Sequence, residues 1–86
     1  TIKLQWKPLF SHLRFQQGDK GGGTRELQTG LNKLGYGLQV DGEFGPLTAT
    51  AVVQFQKGQG LEPDGVVGKN TWAALIRAVN QQGGAV

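Results

Sequence analysis

Eighty-six residues suffice for one domain with a modest core. The absence of cysteine excludes disulfides, thiolate metal sites and a thiol nucleophile, and no run of about 18 apolar residues offers a membrane span. The net charge of +3 is unevenly placed: residues 1–20 carry four cations and one acid, whereas residues 21–86 carry five of each, which argues against a basic face for nucleic acid. The chain opens on Thr1 with no basic-then-apolar leader, and we read it as a mature chain or an excised fragment.

Residues 1–13 read as an N-terminal extended segment or linker. Ile2, Leu4 and Trp6 alternate with Lys3, Gln5 and Lys7, the period of a strand, and Pro8 stops the run. A lone strand is unstable, so three fates are open: packing on the module, pairing with a neighbouring domain, or ending a linker. Gly18-Asp19-Lys20-Gly21-Gly22-Gly23 reads as a flexible turn. The domain proper is expected over residues 14–80, with residues 81–86 as a flexible tail.

The spacing predicts a first helix over residues 23–34, where Thr24, Leu27, Leu31 and Leu34 recur at three- and four-residue steps. Thr24 has a second reading as the N-cap. Gly30 interrupts this helix at a cost of about 1 kcal/mol relative to Ala, which suggests close packing there. Gly35 sits where a left-handed helix end is expected. A second helix opens at Pro46 behind Gly45 as its cap, runs through Val52 and Phe55, and ends near Gly58 or Gly60. Leu61 then folds back onto the core. A third helix starts near Lys69 and presents Trp72, Leu75, Ile76 and Val79 on its apolar face. Together these give an all-α fold, a small three-helix bundle with an extra N-terminal extended segment. The 15 glycines fit it, because most fall at helix ends and turns.

A repeated phrase precedes the second and third helices. Asp41-Gly42-Glu43-Phe44-Gly45-Pro46-Leu47-Thr48 recurs 23 positions on as Asp64-Gly65-Val66-Val67-Gly68-Lys69-Asn70-Thr71. Asp-Gly before a helix is a tight-turn signal, and each Thr falls where its hydroxyl reaches back to the Asp or the cap. So Asp41, Thr48, Asp64 and Thr71 first read as residues that close two corners. A functional reading stands beside it: helix N-termini favour anionic groups, and two such corners frame a groove for a carboxylate-bearing peptide.

Tyr36, Phe44 and Gln28 are the leading binding candidates, with Asn32, Asp41 and Thr48 beside them. An aromatic at a polar groove stacks on a sugar or a peptide while a nearby amide supplies hydrogen bonds. Each has a plainer reading. Phe44 suits the core, since its counterpart is the aliphatic Val67, and Gln28 suits a solvent-facing position beside the Leu27–Leu31 stripe. Trp72 reads as core, and Trp6 as an anchor for the strand or a partner domain. No catalytic set is visible. His12, the only histidine, has no companions for a zinc site, Ser11 has no orienting acid, and Asp41 with Glu43 falls short of a calcium loop. No metal and no cofactor are therefore expected.

From Leu13 to Ile76 the chain resembles the peptidoglycan-binding domain family, type 1. Gly18-Asp19 with Gly21 is similar to the family's opening turn, and Leu27-Gln28, Leu31 and Leu34-Gly35-Tyr36 to its first helix and exit. Asp41-Gly42-x-Phe44-Gly45-x-x-Thr48, Ala51-Val52, Phe55-Gln56 and Gly60-Leu61 resemble its central stretch. Asp64-Gly65-x-x-Gly68-x-x-Thr71-Trp72 and Leu75 resemble its close. The chain departs from the pattern at Thr24, usually aliphatic, in the loose Gly21–Gly23 run, and over residues 1–12, which fall outside it. The resemblance implies a non-catalytic three-helix module that binds bacterial murein or its stem peptides and anchors a larger protein. It also implies a periplasmic or extracellular, wall-associated location. The alternative is a docking or regulatory domain of a cell-envelope protein, working through residues 1–13 on a neighbouring domain. Paired carboxylates for sugar cleavage or a metal set for amide cleavage are not evident.

Overall fold

The computed structural model describes residues 5–83. Three helices follow in order: α1 over Gly22–Lys33, α2 over Pro46–Gly58 and α3 over Lys69–Gly83. No strand forms among the described residues. Two isolated antiparallel bridges, Phe15 with Val67 and Lys20 with Glu43, join the leading segment to the two corners.

Each helix starts where local chemistry favours a start. Gly45 caps α2 in an extended conformation and Pro46 occupies its first turn, where a missing N–H costs nothing. Gly21 caps α1, so Thr24 lies inside the helix and its reading as a cap is corrected. Its side chain is fully buried, and its hydroxyl has no hydrogen-bond partner. At the end of α2, the N–H of Leu61 bonds the Gln56 carbonyl at 2.9 Å across Gly60, and Leu61 turns back onto the core. α3 continues through Gln81 and Gln82 to Gly83, so the expected tail begins inside the helix; residues 84–86 lie outside the described residues.

Leu27 and Leu31 of α1, Val52 and Phe55 of α2, and Trp72 and Leu75 of α3 meet in the centre, joined by Phe15, Phe44 and Val67 from the connections. Burying a side chain of this size stabilises the fold by about 1.5–3 kcal/mol, so this set supplies most of the driving force. Ile76 is only half-buried, and Ala74 takes the inner position beside Trp72 and Leu75.

Residues 1–4 lie outside the described residues, so only the end of the alternating run can be followed. It forms no strand there. Trp6 donates its backbone N–H to Asn80 Oδ1 at 2.7 Å, accepts from Asn80 Nδ2 at 3.3 Å, and sets its ring 6.4 Å from that of Trp72. Gly30 makes this possible: a Cβ there would stand 2.3 Å from the Trp6 ring. Glu26 accepts the N–H groups of Leu9 and Phe10 at 2.8 Å each, and the Trp72 indole donates to the Leu13 carbonyl at 2.9 Å. Of the three fates open to this segment, packing on the module is the one observed for residues 5–13.

Candidate functional site

The two Asp-Gly corners are built alike, and a buried glutamine makes each of them. In the corner before α2, the Gln28 amide nitrogen donates to Asp41 Oδ1, the Glu43 carbonyl and Thr48 Oγ1 at 3.0, 3.0 and 3.1 Å. Its oxygen accepts the Gly42 N–H at 3.0 Å. In the corner before α3, Gln56 donates to Asp64 Oδ1, the Val66 carbonyl and Thr71 Oγ1 at 3.1, 3.0 and 3.0 Å, and accepts the Gly65 N–H at 3.0 Å. Every partner in one corner has its counterpart in the other. Gly42 and Gly65 adopt φ of +78° and +76°, a left-handed conformation that disfavours a side chain. That conformation turns their N–H groups onto the glutamine.

The aspartates close each turn. Asp41 Oδ1 also accepts the Glu43 N–H, and Asp64 Oδ1 the Val66 N–H, both at 2.9 Å. For Asp41 that backbone bond is the main reason its carboxyl is held below the usual carboxylate range, with Gln28 adding to it. For Asp64 the Val66 N–H likewise leads; partial burial opposes it, while Gln56 and the nearby Arg14 guanidinium assist. Both carboxylates are thus used to hold backbone.

A shallow recess opens beside each corner. The first, about 240 Å³, has Gln28, Asp41 and Thr48 in its wall, together with Leu38, Glu43 and Leu47. The second, about 360 Å³, has Gln56, Asp64 and Thr71 in the equivalent places, and Arg14 besides. Three of the six candidate residues therefore share one recess, and Asn32, Tyr36 and Phe44 do not line it. For Phe44 the plainer reading as core holds, and Gln28 lies buried in the corner rather than facing solvent. Gln28 is 1% exposed and its two amide hydrogens already serve three acceptors, while Phe44 is 2% exposed within the core. Asn32 spends its amide on the backbone of Leu38, donating at 2.7 Å and accepting at 2.6 Å. Tyr36 is half-buried against the core, Thr48 is buried, and Asp41 alone of the six is exposed.

Gln56 and Arg14 are the residues that sequence reading missed as parts of a corner. Gln56 was legible as the second apolar-Gln pair, Phe55-Gln56 after Leu27-Gln28. Its distance to the following aspartate is 8 residues, against 13 for Gln28, and that mismatch hides the equivalence. Arg14 is distant in sequence from the corner it approaches. Among the described residues no three His, Asp or Glu side chains gather as a metal set, and no helix is long and apolar enough to cross a membrane.

The chain is similar in sequence and in fold to known proteins. A spore cortex-lytic enzyme of Oceanobacillus iheyensis is 42% identical over 72 residues, which is 83% of this chain and 26% of that protein. A crystal structure of a peptidoglycan-binding protein from Clostridioides difficile, in complex with glutamine hydroxamate, superposes with a TM-score of 0.79 at 36% identity. That match covers 84% of this chain and 46% of the other. The SleB N-terminal domain gives a TM-score of 0.76 at 38% identity, covering 79% of this chain and 94% of that one. The chain spans 52% or less of the length of the first curated relatives it matches. The model of the putative peptidoglycan binding domain matches residues 20–75, from the turn before α1 to the middle of α3, and the chain belongs to that family.

Proposed function

We propose that this chain is a non-catalytic module that binds cell-wall peptidoglycan and holds a larger protein against the wall. The observation that carries the reading is the pair of amide-clamped corners, each with an open recess at the start of a helix, within a chain of this family. Rigid backbone around a shallow recess suits recognition of a repeating polymer, where many weak contacts add through tethering. Affinity for a single soluble fragment is therefore expected between micromolar and millimolar. Catalysis is left to other parts of a parent protein, since both corner aspartates are engaged with backbone N–H groups. On this reading the module works at the wall, in the periplasm or outside the cell; the name of the spore cortex-lytic relative supports that setting. Stem peptides rather than glycan are the proposed contact, because the recesses are lined by charged and amide groups.

The test is co-sedimentation of the chain with purified sacculi at low and moderate salt. The expected outcome is a saturable bound fraction with no clearing of a murein zymogram. A chain that stays in the supernatant at both salt concentrations overturns the proposal, and zymogram clearing overturns its non-catalytic part.

A further inference from the structure

The two recesses share one frame and differ in their rims. Position by position, Pro46, Leu47 and Glu43 of the first are replaced by Lys69, Asn70 and Val66 in the second. The first recess is lined by two acids, Asp41 and Glu43, and no cation. The second holds Lys69 and Arg14 with Glu62 and Asp64. Arg14 has no counterpart among the residues that line the first recess, where Arg25 lies near Asp41 but outside the lining. Arg14 arrives at the second recess because the bridge from Phe15 to Val67 lays the leading segment along the second corner, with N···O distances of 3.1 and 2.8 Å.

The second recess also continues further. A neighbouring hollow of about 450 Å³ is lined by Ser11, His12 and Leu13 and shares Arg14, Gly68 and Lys69 with it. The two hollows adjoin along Arg14, Gly68 and Lys69 and are taken together as a trough, with the acids, Glu62 and Asp64, lining only its α3-corner part. Gly68 leaves room beneath Arg14: a Cβ at that position would touch only the Arg14 Nε, at 3.9 Å. Leu13 is 45% exposed, an apolar surface on the wall of the trough. Among the described residues the one ion pair is Lys20–Glu43, at 3.9 Å beside the first corner, and neither Arg14 nor Lys69 takes part in it.

We infer that this trough reads a carboxylate of a wall stem peptide, with Arg14 and Lys69 as the groups that take it; this rests on the peptidoglycan reading above. A guanidinium presents a planar fork that matches a carboxylate, and an ammonium adds a point charge. First-turn N–H groups of α3 add to the same field. The acids of the α3-corner part suit a peptide that bears an amino group as well as a carboxylate. The wall of the first recess offers no such fork: its two acids are accompanied by Lys20 and Arg25 only from outside the lining.

The experiment is an NMR titration of the isotope-labelled 86-residue chain with a soluble muropeptide bearing free carboxylates, and with the same muropeptide amidated. The expected shifts centre on Leu13, Arg14 and Gly68 to Thr71, and amidation weakens binding by about tenfold or more, as loss of a charge-assisted contact implies. Arg14→Gln with Lys69→Gln weakens the free-carboxylate ligand to a similar degree and leaves the amidated one unchanged. Both side chains are exposed, and an unchanged spectrum away from the trough verifies that the fold is intact. Shifts centred on Gln39 to Leu47, or equal binding by the variant, overturn this inference while leaving the peptidoglycan reading in place. Binding only to sacculi that retain anionic phosphate polymers overturns the carboxylate assignment. Absence of binding to any form of sacculus overturns both readings.

Discussion

The corner before α2 and the corner before α3 hold their backbones by the same hydrogen bonds and surround them with different side chains. Gln28, from α1, clamps the first; Gln56, from α2, clamps the second. Each helix thus fixes the turn that launches the next one. A buried primary amide suits this task because it offers donors and an acceptor in one plane, and an unmet backbone group would be costly there. At the rim the pressure differs. Lys69 in place of Pro46 and Asn70 in place of Leu47 cost the frame little, because those positions are exposed. The difference teaches that the clamp is common to both corners of this chain, whereas the rim is free to vary; on the proposed function it is the rim that sets ligand chemistry.

The sharpest way to break this equivalence is to remove the clamps singly. Gln28→Ala and Gln56→Ala each leave buried polar groups unpaired and open a cavity, and each is expected to destabilise by about 3 kcal/mol. For a chain this small that is a large share of total stability. Chemical denaturation measures it, and a disparity greater than about 1 kcal/mol between the two variants would mean that one corner is held by something else. A smaller effect, of opposite sign, comes from Thr24. Four residues before its glutamine, α1 buries Thr24, while α2 buries Val52 at the same offset. Making the two alike by Thr24→Val removes an unpartnered hydroxyl at nearly constant shape and is expected to stabilise by about 1 kcal/mol. A lowered melting temperature would show that the hydroxyl has a partner after all.

The gentlest probe is acid. Both corner aspartates bind a proton less readily in the folded chain than in the unfolded one. Their contribution to stability is therefore complete above the ordinary Asp value of about 3.9 and is lost as pH falls below it through the folded values. Asp41→Asn and Asp64→Asn should each flatten the fall in melting temperature on acidification from about pH 5 to pH 2, and the double variant should flatten it most. An unaltered acid profile in the double variant would remove these carboxylates from the account of acid stability.

Much of this was legible in local sequence. Pro46 behind Gly45 gave the start of α2, and the repeated Asp-Gly phrase marked both turns, because each signal acts on backbone within a few residues. The core role of Trp72 was visible in the spacing of α3. Gln28 stood out as a side chain that matters, but its place in the corner was not legible, since a polar residue beside an apolar stripe gives no sign of whether it points to water or to a turn 13 residues on. The side chains of Asn32 and Phe44 were likewise committed to loop and core in ways that only their neighbours reveal.

By itself the sequence determined where the helices begin, which turns need glycine and aspartate, and which apolar stripes seek burial. These depend on φ preferences, missing or free N–H groups and 3.6-residue periodicity, all short-range properties of the chain. Only the tertiary structure decided that Trp6 meets Asn80 across 74 residues, that two glutamines at unequal spacing do one job, and that Arg14 lies beside the α3 corner. Such pairings depend on how the helices cross and where the leading segment is laid down. That is settled by collective burial around Trp72 and Phe44, and no local pattern carries it.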